Sequence, residues 1–84
     1  NNMINNKNMD VTIYTTPTCP YCQMAKDFLE KNKIQFEEID VSKDEGSAME
    51  VIKKSGHIGV PIIKINDHYV AGFNEEEIKR KLYL

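Results

Sequence analysis

Two cysteines stand three apart in Cys19-Pro20-Tyr21-Cys22, and they are the only two in the chain. An apolar, strand-like run precedes them and a helix-like run follows, so the pair falls at a strand-to-helix junction, the setting of a dithiol/disulfide redox site. That placement constrains the fold. Residues i and i+3 share one helix face, so two thiols there can close a small disulfide ring with little backbone movement. The first cysteine meets unpaired backbone N–H groups and the positive end of the helix dipole, which favour a thiolate, the reactive form.

The chain is short, at 84 residues, and reads as one small domain. Residues 1–9, rich in asparagine, are expected to be a flexible tail, and residues 10–84 the domain. A formal charge of −2 argues against a partner held by phosphate contacts, which would call for a basic balance. Lys53-Lys54 and Lys79-Arg80-Lys81 are placed late in expected helices, where they complement helix dipoles. No apolar run reaches transmembrane length and no signal peptide is visible. The expectation is therefore a monomeric cytoplasmic protein that binds neither nucleic acid nor membrane, in a compartment where a disulfide is transient and catalytic.

Val11 to Thr15 alternates apolar and polar side chains, with β-branched residues, and reads as a strand. Pro20 suits a first helical turn. Cys22, Ala25, Phe28 and Leu29 then follow helical spacing to an end near Asn32-Lys33. Gln35 to Val41 reads as a second strand. Ser42-Lys43-Asp44-Glu45 matches a capping box before a helix whose buried stripe is Ala48, Met49, Val51 and Ile52, stopped at Gly56. Val60 to Ile65 reads as a third strand, Asn66-Asp67 as a hairpin turn and His68 to Ala71 as a fourth strand. Asn74 caps a last helix, with Glu77 at N3 and Ile78 and Leu82 on its apolar face. The order is β-α-β-α-β-β-α: an α/β fold whose first two strands are parallel and whose last two form a hairpin.

That order, with Thr18-Cys19-Pro20-Tyr21-Cys22 after the first strand, Gly59-Val60-Pro61 at the third and Ala71-Gly72-Phe73-Asn74 after the fourth, resembles the glutaredoxin family of the thioredoxin-like fold, over about Asp10 to Leu82. The resemblance implies a four-stranded mixed sheet flanked by three helices. It also implies a dithiol oxidoreductase that reduces protein disulfides or glutathione mixed disulfides. Cys19 would be the nucleophile and Cys22 the resolving thiol. Tyr21 would flank the thiol, Val60 would offer its backbone to substrate beside a cis Pro61, and Gly72, Phe73 and Asn74 would shape a glutathione floor. No tightly bound cofactor is implied; glutathione would be reductant or cosubstrate.

Four positions depart from the glutathione-dependent pattern. Thr16 stands where a lysine is usual, Ile58-Gly59 where a basic or amide residue and a threonine are usual, and Asn74 where an aspartate is common. Related redoxins draw electrons from thioredoxin reductase instead, and some serve ribonucleotide reductase. Another branch shares an iron–sulfur cluster through the first cysteine.

Simpler readings stand beside these. The cysteines alone could be buried apolar residues or half a zinc site, but a zinc site needs about four ligands, and His57 and His68 are at spacings unlike a finger. No metal is expected. His57 and His68 read as surface residues. Phe28, Phe36, Met49 and the isoleucines read as core, Met24 as a core filler, and Phe73 equally as packing or substrate contact. Lys26, two turns beyond Cys19, is expected to lie too far away to act on that thiol directly.

Overall fold

A computed structural model describes residues 9–84. The expected tail, apart from Met9, lies outside the described residues, and Met9 packs partly buried against the core. The elements are β1 (Val11–Thr15), α1 (Pro20–Lys31), β2 (Glu37–Asp40), α2 (Glu45–Ser55), β3 (Ile62–Ile65), β4 (His68–Ala71) and α3 (Glu75–Leu82). Strand order is β2-β1-β3-β4; β1 and β2 run parallel, and the other pairs are antiparallel. This is the mixed sheet that the element order implied.

The two central strands carry the core. Register sets Val11 opposite Ile65 and Ile13 opposite Ile63, and these four join Val70 in one buried cluster with Ala25 and Leu29 of α1 and Ile78 and Leu82 of α3. Strand alternation sends Tyr14 and Ile62 to the other face. There Tyr14 lies within electrostatic reach of Glu50 and Lys54 of α2. Helices on both faces bury both sides of β1 and β3, which is why Ile62 and Ile63, successive in sequence, are both buried.

Several boundaries differ from expectation. β2 is shorter, because among the described residues it is an edge strand paired with β1 alone, which offers Thr12 to Thr15. β3 begins at Ile62 rather than Val60: Pro61 has no N–H for a ladder, and its carbonyl accepts the Gly72 N–H at 2.8 Å. α2 is capped by Asp44 and not Ser42. The Asp44 carboxylate accepts from the Ser47 N–H at 3.1 Å and from the Ser47 hydroxyl at 3.0 Å, while the Ser42 hydroxyl donates to Asp40. The stripe of α2 is Ala48, Val51 and Ile52; Met49 falls on the solvent side with Lys53 and is 56% exposed. Met24 is likewise exposed beside Gln23, one position off the buried Cys22-Ala25-Leu29 line.

The remaining stops and turns follow local chemistry. Gly56 closes α2 at φ 77, a left-handed conformation that glycine takes without strain. Asn66 makes the hairpin turn at φ 54 and pairs with Asp10 through both its backbone N–H and its side-chain carbonyl, tying the start of β1 to the turn. Asn74 caps α3 by accepting the Glu77 N–H at 3.2 Å.

Candidate active site

The dithiol sits at the open end of β1, on the first turn of α1. Cys19 is the N-cap residue with extended backbone (φ −124°, ψ 103°), and Pro20 follows at the first helical position. The Cys19 Sγ accepts the Cys22 backbone N–H at 3.1 Å. A sulfur in the place normally taken by a serine or aspartate oxygen satisfies an orphan helix donor, and that bond strengthens when the sulfur is anionic. As a thiol, Cys19 donates to the Val60 carbonyl at 3.8 Å.

The two sulfurs differ in environment. Both are free thiols; Cys19 is half-buried and Cys22 is 2% exposed. Burial pushes the Cys22 thiol up to about 12, and the Cys19 side chain adds to the rise. A backbone hydrogen bond from Thr16 and the charge of Lys26 oppose it. The accessible sulfur is thus the one open to an incoming molecule, and the buried one keeps its proton at neutral pH.

The other residues singled out in the sequence arrive from two loops. The Val60–Pro61 bond is cis, and Pro61 is fully buried. The Pro61–Gly72 hydrogen bond fastens this loop to the Gly72-Phe73-Asn74 segment. Gly72 takes φ 77, Phe73 packs edge-on against Phe28 with ring centroids 5.8 Å apart, and the Asn74 side chain is engaged as the α3 cap. Tyr21 projects into solvent beside Cys19, at 62% exposure. Ile58, expected in the core, is 83% exposed, because it follows the Gly56 stop of α2 on the loop leading to Val60. His57 is exposed on the same loop and His68 at the start of β4. Among the described residues, no group of three or more His, Cys, Asp or Glu side chains could hold a metal ion.

A chain with a half-exposed N-cap cysteine over a buried second cysteine, facing a cis proline, invites comparison with known redoxins. The glutaredoxin family model matches residues 11–70. The chain belongs to the glutaredoxin family. Glutaredoxin 3 of Escherichia coli strain K12 is 36% identical over 66 residues, covering 79% of this chain and 80% of that protein. The crystal structure of a glutaredoxin from Archaeoglobus fulgidus superposes with a TM-score of 0.81 at 29% identity, over 98% of this chain and 95% of that one. The glutaredoxin-like NrdH-redoxin of Escherichia coli, described as having a thioredoxin-like activity profile, superposes with a TM-score of 0.76 at 28% identity, over 84% and 92%. The chain is thus a glutaredoxin-like oxidoreductase with the thioredoxin-like fold.

One part of this glutaredoxin-family site escaped the sequence reading. A cavity of about 400 Å³ beside the dithiol is lined by both cysteines and also by Lys26, Thr15, Glu38 and Asp40. The Lys26 ammonium lies 3.0 Å from Glu38 Oε2, and the Thr15 hydroxyl donates to the same oxygen at 2.8 Å. Those two bonds, Lys26 first, hold the Glu38 carboxyl below its usual range. Lys26 is four residues from Cys22, on the same face. That i, i+4 spacing was a legible signal. Glu38 had none, because only β1–β2 pairing carries it there.

Proposed function

We propose that this chain is a dithiol disulfide reductase. The Cys19 thiolate attacks a protein disulfide or a glutathione mixed disulfide; Cys22 then attacks Cys19, releases the product and closes the intramolecular disulfide. The observation that carries this reading is the asymmetry of the pair: one helix turn presents an accessible Cys19 that accepts a backbone N–H and holds Cys22 buried behind it. Val60 and Pro61 flank the thiol as a short stretch of backbone outside the β3 ladder, suited to strand-like pairing with an extended substrate segment. Tyr21 supplies an exposed aromatic surface beside it. The reaction is a cytoplasmic one, where a reducing pool can reset the disulfide.

Two donors are compatible with this chemistry. Glutathione is the first, docking near Val60 with Gly72, Phe73 and Asn74 as its floor. A reductase of the thioredoxin type is the second, with ribonucleotide reductase among the targets. A specific observation favours keeping the second: Thr16 and the exposed Ile58 supply no positive charge for the two carboxylates of glutathione, and the Asn74 side chain is occupied as a helix cap.

The test is NADPH-driven turnover of a disulfide substrate, run in parallel with glutathione plus glutathione reductase and with thioredoxin reductase. Turnover in either establishes the reductase; loss in Cys19→Ser ties it to this site. No turnover in both, with reactive thiols, would end the reading.

A further inference from the structure

The Lys26–Glu38 pair is an ion pair that the disulfide chemistry just described does not use, yet it shares a cavity with both sulfurs. Its geometry has three parts. Lys26 rises from α1 one turn beyond Cys22, so its stem runs along the wall the two thiols line. Its ammonium is not left to wander; it is anchored 3.0 Å from Glu38 Oε2, with the lysine side chain 22% exposed. Glu38 is fixed in turn by the Thr15 hydroxyl, whose residue is 1% exposed at the end of β1. A central strand, an edge strand and the catalytic helix thus converge on one carboxylate oxygen.

We propose that the Lys26–Glu38 pair positions a fixed charge beside the dithiol, and that its two members act in opposition to set how readily Cys22 becomes a thiolate in the resolving step. This rests on the dithiol reading above. In the first step the Cys19 thiolate forms a disulfide with one substrate sulfur and the other leaves as a thiolate. In the second, the Cys22 thiol loses its proton to solvent. Its thiolate then forms the Cys19–Cys22 bond, and the bond from Cys19 to the remaining substrate sulfur breaks, releasing a second thiolate. Two electrons pass from the dithiol to the substrate, and the released thiolates take protons from solvent.

The second step needs Cys22 as an anion, which burial disfavours and a nearby cation favours. Lys26 is the one cation among the described cavity-lining residues, and its charge favours the Cys22 anion; Glu38 and Asp40, from β2, line the same cavity with the opposite charge. Asp40 is occupied by the Ser42 hydroxyl and N–H, at 2.6 and 2.9 Å. Both carboxyls are held below their usual range, so they are ionised at neutral pH. Glu38 therefore does two things: it keeps the ammonium in the cavity and it subtracts from the ammonium's effect.

The test reads the sign of each charge. In full-length chains carrying Cys19→Ser, the alkylation rate of Cys22 is measured against pH with Lys26→Met, Lys26→Arg or Glu38→Gln added. In parallel, the same substitutions are made in the intact dithiol, and the rate at which Cys22 displaces a thiol from a preformed Cys19 mixed disulfide is read against pH. Lys26→Met is expected to lower the thiolate fraction at fixed pH roughly threefold to fivefold. Glu38→Gln is expected to raise it by a similar factor, with Lys26→Arg staying near the parent. The displacement rate at neutral pH falls in Lys26→Met and rises in Glu38→Gln, by less than the thiolate fraction changes, because the more basic thiolate is the better nucleophile. Shifts of the same sign in both variants, or none, overturn the proposal and leave the pair a structural brace. If Lys26→Met does not fold, Lys26→Gln supplies the same loss of charge. Failure of the dithiol reading is separately visible: no Cys19–Cys22 disulfide would form in any chain, while Cys22 alkylation would still report the pair.

Discussion

Cys19 and Cys22 leave the same helix turn and meet different surroundings, and that difference assigns each a separate consequence. Cys19→Ser is expected to abolish reductase turnover. Cys22→Ser should retain part of the exchange with glutathione mixed disulfides and lose turnover of protein disulfides; full protein-disulfide turnover in that variant would contradict a resolving role. The Cys22 thiol also links stability to pH. Its folded value, about 12, lies above the ordinary 9.0, so the fold favours the neutral thiol. That contribution is fully present below the ordinary value and is lost as pH rises toward the folded one, because the unfolded chain ionises first. The stability gap between the reduced protein and its Cys22→Ala variant, read from urea unfolding, should narrow by about 1.4 kcal/mol per pH unit over that window.

The elements hold the site through caps and one shared core. Asn74 is the α3 N-cap, so Asn74→Ala should cost about 1 kcal/mol in urea unfolding, whatever it does to substrate binding. For α2, Asp44→Ala should lower the unfolding midpoint clearly more than Ser42→Ala, since Asp44 accepts the helical N–H; the reverse order would restore Ser42 as the cap. Leu29 is fully buried where α1 meets the core cluster, so Leu29→Ala should cost roughly 2–5 kcal/mol and loosen the helix that carries both cysteines. Ser42 and Asp44 both precede the helix and both carry capping oxygens. Sequence could not separate them, because the choice depends on Asp40 drawing the Ser42 hydroxyl back toward β2.

At the scale of the molecule, the sheet brings three distant segments to one end: the β1–α1 junction, the Val60-Pro61 loop and the Gly72 turn. Tyr21 beside the thiol and Ile58 on the loop leading to Val60 are exposed, and Thr16 brings no cation. Thr16→Lys combined with Ile58→Arg should therefore raise glutathione-coupled turnover several-fold and leave turnover by thioredoxin reductase little changed; parallel NADPH assays would check this. Element order, the parallel first pair, the hairpin, the Gly56 and Asn74 signals and the dithiol were legible in the sequence, because each is written in local periodicity, in backbone conformational limits or in a four-residue motif. The tertiary structure alone decided where β2 and β3 begin, which of Met24, Met49 and Ile58 face water, and that Glu38 meets Lys26 beside the cysteines. These depend on which strand supplies a hydrogen-bonding partner and on which helix face a sheet covers. Such facts involve residues 12 or more positions apart and leave no trace in the spacing of their neighbours.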